Sequence, residues 1–248
     1  MSSQPYDLIA EAYSKTDFSP TKEFVAKPTF LSLLGDTCGK KVIDFGCGSG
    51  YSTRLVRGTR SREVIGVDIS AQQIRLAQEM ERANPGGIVY HQGDVTSDSF
   101  SQFRNFDIAT AIYLLHYAST KDELYAISNH INGALRPGGR FVAINSNPSH
   151  PTLKNKKYGI TAEISSPVHD GATRTVTYFD AEAAICSFKT YLWQKDTYVK
   201  ALTTAGFKDI QWHKPIISEE GIQRFGEQFW KELLESPFIC GLTCTKRK

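Results

Sequence analysis

Asp44, Phe45, Gly46, Cys47, Gly48, Ser49 and Gly50 follow an apolar run and precede helix-forming sequence. Glycine at alternate positions lets a turn take positive φ, or lets a ligand reach the backbone, at less cost than any residue with a side chain. About 20 residues beyond these glycines, the apolar run 64–67 ends in Asp68. A strand, a glycine turn, a helix and a second strand closed by a carboxylate make a nucleoside site, the carboxylate accepting from ribose hydroxyls. Asp68 could instead cap the following helix, but Ser70 already supplies that cap, which favours the ribose role. The second reactive candidate is His116, which lies where the fourth strand ends, on the side where ligands gather in open α/β sheets. Imidazole titrates near neutrality, so His116 is a candidate proton acceptor. Its plainer reading is a strand-end residue that hydrogen-bonds the lid.

The elements that must hold these residues alternate between strand and helix from residue 41 to 147, which predicts an α/β, doubly wound sheet. The first strand is 41–45 and its helix starts at Tyr51. Ser70 and Gln73 have capping-box spacing at the head of a helix whose apolar face includes Ile74, Ala77 and Met80. A short strand at 87–90 and a longer one at 106–115 follow. Thr120 and Glu123 form a second capping box, before a helix with Leu124, Ile127, Ile131 and Leu135 on one face. Pro137, Gly138 and Gly139 stop it, and a strand runs from 140 to 144. Residues 148–171 have no sustained period and are expected to form a long loop or lid. Two β-prone runs, 173–179 and 185–193, are spaced for a hairpin. A helix at 197–205, a strand at 207–212, a helix at 219–234 and a strand at 238–245 complete the chain.

At 248 residues, the length suits one domain with a sizeable core. We expect an N-terminal helical cap (1–36), a cofactor-binding core (37–147), a substrate lid or hairpin (148–194) and the C-terminal end of the sheet (195–248). A net charge of +3, without a broad basic face, argues against nucleic acid as a partner. The five cysteines lack C-x-x-C spacing, so free thiols in a reducing compartment are expected and no metal. No run approaches the ~20 apolar residues of a membrane span, and the start is unlike a secretory signal, so the expected location is cytoplasmic with no membrane partner.

The glycine spacing here is G-x-G-x-G; a nicotinamide loop, G-x-G-x-x-G, would need glycine where Tyr51 stands. The chain resembles the class I S-adenosylmethionine-dependent methyltransferases. The resemblance rests on VIDFGCGSG (42–50), GVDIS (66–70), GDV (93–95), Phe106 with Asp107, Leu115 with His116, and LRPGG (135–139), in that order. It implies a Rossmann-like, seven-stranded, mostly parallel sheet with an antiparallel last strand and a β-hairpin or loop lid. It also implies S-adenosylmethionine as cofactor, S-adenosylhomocysteine as product, and a small-molecule methyl acceptor. By the same resemblance Gly46, Cys47, Gly48 and Gly50 would approach the methionyl and ribose portions, and Asp68, with Ile69 beside it, would take the ribose. Asp94 and Val95 would flank the adenine, and Ala111 and Tyr113 would line the methyl-bearing face. Tyr6 and Tyr13, in YDLIAEAY, are similar to N-terminal aromatics that close over the cofactor. They could also anchor an amphipathic helix to the core. Asp44 either contacts cofactor or fixes the loop through backbone N–H groups, and Cys47 reads more simply as packing.

Methyl transfer from a sulfonium draws much of its rate from positioning, so a dedicated base is optional. Where many family members carry two histidines, this chain has His116 followed by Tyr117. Tyr117, Tyr191 and Trp193 are the acceptor-side candidates, with Phe188 on the opposite strand face. The reading is methylation of a nitrogen or oxygen on an aromatic or heterocyclic metabolite, in secondary metabolism. A weaker resemblance points to toxoflavin-pathway-like N-methyltransferases. The alternatives are a nicotinamide-dependent reductase, suggested by Y-x-x-x-K at Tyr117/Lys121 and Tyr191/Lys195, and a noncatalytic cofactor-binding regulatory module.

Overall fold

A computed structural model describes residues 7, 11–13, 16, 19–97, 102–165 and 167–248. A π-helical turn, Lys22–Ala26, leads into α1 (Lys27–Leu34), whose Phe30 and Leu34 are fully buried. The alternating core follows as β1 (Lys41–Phe45), α2 (Tyr51–Gly58), β2 (Glu63–Asp68), α3 (Ala71–Ala83), β3 (Ile88–Gln92), β4 (Phe106–Ile112), α4 (Lys121–Ala134) and β5 (Leu135–Ser146). After it come β6 (Ile160–Ile164), β7 (Ala172–Asp180), β8 (Ala183–Leu192), α5 (Lys195–Thr204), β9 (Phe207–His213), α6 (Glu219–Phe225), α7 (Glu227–Glu235) and β10 (Ile239–Lys246).

The main sheet has the order β3-β2-β1-β4-β5-β10-β9. Its strands are parallel except β10, which runs antiparallel to both β5 and β9. The expected Rossmann-like sheet with one antiparallel closing strand is therefore the observed one. Crossovers from β1 go toward β3 and those from β4 go toward β9, so the order reverses between β1 and β4. Beyond the carboxyl ends of these two strands lies the crevice where ligands bind in such sheets. β1 is buried from Val42 onward and β4 is buried on both faces, as strands covered by helices on either side must be.

The helix starts follow the chemistry of the caps. Ser70 Oγ accepts the Gln73 N–H at 3.1 Å, and Thr120 Oγ1 accepts the Glu123 N–H at 3.1 Å. The reciprocal half of each expected box is made by another pair. Asp68, not Gln73, takes the Ser70 N–H, and Glu123 takes the Ser119 N–H.

Four expectations shift. The fourth strand ends at Ile112, and Leu115–Tyr117 form a 3₁₀ turn that carries His116. Leu135 opens β5 rather than closing α4, and residues 136–139 bulge between the pairs Phe106–Leu135 and Ile108–Arg140. The helix expected over 219–234 is two, broken at Gly226 (φ 79°), which lets α7 fold back so that Trp230 donates to the Gly221 carbonyl at 2.9 Å. The segment 148–171 contains β6, which pairs with β7 and extends the expected hairpin to a three-stranded antiparallel sheet. Ile160, Thr161 and Ala162 are consecutively buried, so β6 has no alternation for a pattern to reveal. No described helix is long and apolar enough to cross a membrane.

Candidate active site at the carboxyl ends of strands one and four

The glycine loop is pinned to the second strand. The Gly46 and Cys47 N–H groups donate to the Val67 carbonyl, and the Gly48 N–H donates to Asp68 Oδ2 at 2.8 Å. Gly50 has φ 84° and stands against Tyr90, whose hydroxyl would lie 2.3 Å from a Cβ at that position. No other residue fits there. Asp44 is fully buried beneath the loop. Ser52 and Thr53 donate to its Oδ2 at 2.8 and 2.7 Å, and Thr110 donates to Oδ1 at 2.7 Å. It ties β1, the head of α2 and β4 together through hydroxyls rather than backbone N–H groups. Burial pushes its carboxyl up, and the three hydroxyls oppose that rise.

Three adjoining cavities open at this edge. The first is lined by Asp68, Ile69, Gln73, Asp94, Val95 and Leu114, among others. Burial pushes the Asp68 carboxyl up to about 6, against the pull of the Ser70 and Gly48 N–H groups. Burial also works to raise Asp94, but hydrogen bonds from the Thr96 hydroxyl and N–H hold its carboxyl below the usual range. Gln73 Oε1 is buried with no hydrogen-bond partner, an acceptor awaiting a donor. The second cavity runs over Gly46, Cys47, Gly48, Ser49 and Ser52 to Lys22. The third lies beneath the β6–β8 sheet and is lined by His116, Tyr117, Arg174, Val176, Tyr178 and Phe188, among others.

Tyr13 and Tyr113 line all three. Tyr113 has φ 62°, an uncommon conformation for an aromatic residue, held by its N–H on the Ile144 carbonyl at 2.8 Å. Burial pushes its phenol up.

A profile described as "Methyltransferase domain" matches residues 42–139. The chain is 26% identical over 211 residues to N-demethylindolmycin N-methyltransferase of Streptomyces griseus, covering 81% of this chain and 85% of that protein. It is 33% identical over 136 residues to O-methyltransferase cnsE of Penicillium expansum, covering 54% and 48% of the two chains. An S-adenosylmethionine-dependent methyltransferase structure from Mesorhizobium loti superposes with a TM-score of 0.63 at 20% identity, over 93% of this chain and 99% of that one. The chain is a methyltransferase, with its methyltransferase domain at residues 42–139.

The residues of the methyltransferase fit its cofactor. The first cavity offers the Asp68 carboxylate and the orphaned Gln73 carbonyl as acceptors of the kind that ribose hydroxyls need, and the second adjoins it over the glycine loop. Asp68, Ile69, Asp94, Val95, Gly46, Gly48, Tyr13 and Tyr113 line the first cavity, Cys47 lines the second, and Tyr117 lines the first and third. Tyr6 lies outside the described residues.

Several residues stand elsewhere than the sequence reading had them. Ala111 points into the packed side of the sheet with Leu115 and Ala143, and Ile112, one residue on, faces the cavities. Asp44 and Gly50 sit behind the cavity walls and shape the loop. Tyr191 and Trp193 face away from the third cavity. Trp193 is buried against α4 and α5 residues and donates to the Ala118 carbonyl at 2.9 Å. The strand parity is as expected, but Arg174, Val176, Tyr178 and Phe188 are on the cavity face and Tyr191 on the other.

His116 is 3% exposed, with Nδ1 3.0 Å from Ser146 Oγ. Burial and the nearby Arg174 guanidinium hold its imidazole well below the usual range. A proton taken up by this ring would sit beside a buried cation, so the ring orients by hydrogen bonding better than it accepts a proton. The Tyr117/Lys121 and Tyr191/Lys195 pairs each join a strand or 3₁₀ turn to a helix start, not successive turns of one helix.

Lys22, Gln73, Arg174 and Phe188 are cavity residues that sequence reasoning did not assign to the site. Lys22 is 6% exposed, donates to Thr16 Oγ1 at 2.7 Å and lies 4.1 Å from the Tyr13 ring centre. A lone lysine in polar N-terminal sequence carries no signal of burial. Gln73 gives its backbone N–H to the Ser70 cap, while its side-chain Oε1 is left for the cavity.

Proposed function

We propose that the methyltransferase methylates a nitrogen or oxygen of a small, planar aromatic or heterocyclic metabolite bound in the third cavity. The observation that carries this reading is the aromatic enclosure around that cavity. Phe188 packs edge-on to Tyr13 at 5.6 Å, stacks with Tyr178 at 6.2 Å and meets Tyr117 at 6.1 Å. Aromatic walls of this kind favour flat acceptors through offset and edge-to-face contacts. The similarities to an N-methyltransferase and an O-methyltransferase support nitrogen or oxygen as the methylated atom.

When bound, S-adenosylmethionine would supply a methyl group from its sulfonium, taken in line by an acceptor lone pair as the carbon–sulfur bonding pair leaves with the sulfur. Asp68 and Gln73 would hold the ribose side, and Lys22 would stand beside the tail carboxylate. Tyr13 and Tyr113, which line all three cavities, would wall the passage between the cofactor and the acceptor. His116 and Tyr117 orient the acceptor. Much of the rate then comes from alignment.

The test is S-adenosylhomocysteine formation with a panel of indoles, phenols and azaheterocycles beside aliphatic amines and a peptide amine. Turnover of planar acceptors supports the reading. Turnover confined to the aliphatic or peptide amines sinks it, and cofactor binding with no turnover of any acceptor favours a regulatory module.

A further inference from the structure

Arg174 is 3% exposed, on the cavity face of β7, in the wall of the third cavity. Its hydrogen bonds go to neutral hydroxyls: Nε donates to Thr190 Oγ1 at 3.0 Å and Nη2 donates to Ser146 Oγ. No carboxylate among the described residues forms an ion pair with it. The groups around it are His116, held neutral by burial and by Arg174 itself, and the phenols of Tyr113, Tyr117, Tyr178 and Tyr198. Asp170 pairs with Lys121 at 3.4 Å and accepts from Thr197 at 2.6 Å.

A guanidinium keeps its charge in proteins, and a buried charge is ordinarily paired. Of its five N–H donors, two have protein acceptors here. The remaining donors include the Nη1 pair, which with the second Nη2 proton forms the planar two-pronged face that matches a carboxylate. Ser146 Oγ and Thr190 Oγ1 take the other protons and fix the plane of the fork. Thr190 in turn donates to the Arg174 carbonyl at 3.4 Å, so the anchor is held from both sides.

We propose that Arg174 binds a carboxylate on the methyl acceptor, making the substrate a planar aromatic or heterocyclic acid whose ring lies against Phe188 and Tyr178. This assignment rests on the reading of the third cavity as the acceptor site. The anion completes the missing ion pair and fixes the acceptor in rotation as well as position. Arg174 is thereby a specificity-determining residue and takes no part in bond making.

The experiment is calorimetric titration of the full chain, saturated with S-adenosylhomocysteine, using matched pairs of benzoate and benzamide, indole-2-carboxylate and its amide, and quinoline-2-carboxylate and its amide. At least one carboxylate binds about tenfold or more tightly than its amide, and Arg174→Gln weakens it roughly 30-fold or more while Arg174→Lys retains part of it. Equal binding of acids and amides, binding of none of the acids, or full retention in Arg174→Gln overturns the proposal. The wild-type comparison of acid with amide needs no variant, so a poorly folded Arg174→Gln leaves it decisive. S-adenosylhomocysteine affinity is measured first in every sample. Its absence in the wild type defeats the cofactor reading, whereas its presence without acid preference defeats only the Arg174 assignment.

Discussion

Asp68 Oδ2 accepts the Gly48 N–H at 2.8 Å, and its other oxygen accepts the Ser70 N–H at 2.9 Å. One carboxylate at the end of β2 thus fastens the glycine loop after β1 to the start of α3, and faces the cavity between them. Asp7 reinforces the same corner from the N-terminal segment, accepting from the Ser70 hydroxyl at 2.5 Å.

Asp68→Ala is expected to weaken S-adenosylhomocysteine binding roughly 100-fold, since hydrogen bonds to a charged group are worth about 1.5–3 kcal/mol each. The pH dependence follows from a carboxyl raised to about 6 in the folded chain, against an ordinary value of about 3.9. The folded state then holds the proton more tightly than the unfolded state, so the stability that this group contributes is present below about 4 and lost as pH rises through about 6. Ribose binding has the opposite sign, because it uses the ionised acceptor, and affinity drops as pH falls through about 6. Calorimetry from pH 5 to 8 checks this; an identical pH slope in Asp68→Asn would assign the effect to another group.

Asp44→Ala is expected to lower stability without entering the cofactor cavity. It strands the three donors Ser52, Thr53 and Thr110, at about 1–3 kcal/mol for each buried group that finds no new partner. A loss of about 3 kcal/mol corresponds to a Tm drop of roughly 6–12 °C in a domain of this size. Differential scanning fluorimetry reads the change, and an unchanged Tm would mean that the hydroxyls re-pair.

His116→Gln is expected to reduce kcat by less than about tenfold, where loss of a general base costs about 100-fold or more. Because burial and Arg174 hold the imidazole well below its ordinary range, the pH profile of kcat/KM for a fixed acceptor has no limb near neutrality that vanishes in the variant. A fall beyond 100-fold, together with loss of such a limb, would make His116 the proton acceptor.

Phe188→Ala is expected to raise the acceptor KM about tenfold or more, leaving S-adenosylhomocysteine affinity unaltered, through the loss of one aromatic wall. Tyr191→Ala, on the opposite face of the same strand, leaves KM unchanged. Steady-state kinetics on both variants decides between the faces, and the reverse pattern would move the acceptor to the other side of the hairpin.

The parts legible in the sequence are those set by neighbours close along the chain. The glycine loop, Asp68 at the end of its strand, the Ser70 and Thr120 caps and the hairpin β7–β8 all come from local backbone geometry and short-range hydrogen bonding. The order of strands and helices carries the sheet topology with it, because βαβ crossovers have few ways to pack. Tertiary structure decided what local pattern leaves undetermined. Alternation placed Phe188 opposite Tyr191, but which face meets the cavity depends on the elements packed against the hairpin. Lys22 and Arg174 look like ordinary solvated cations in sequence, and only long-range packing removes their water. The neutrality of His116 likewise depends on Arg174 of β7, distant along the chain, since electrostatic coupling follows distance in space and exclusion of solvent.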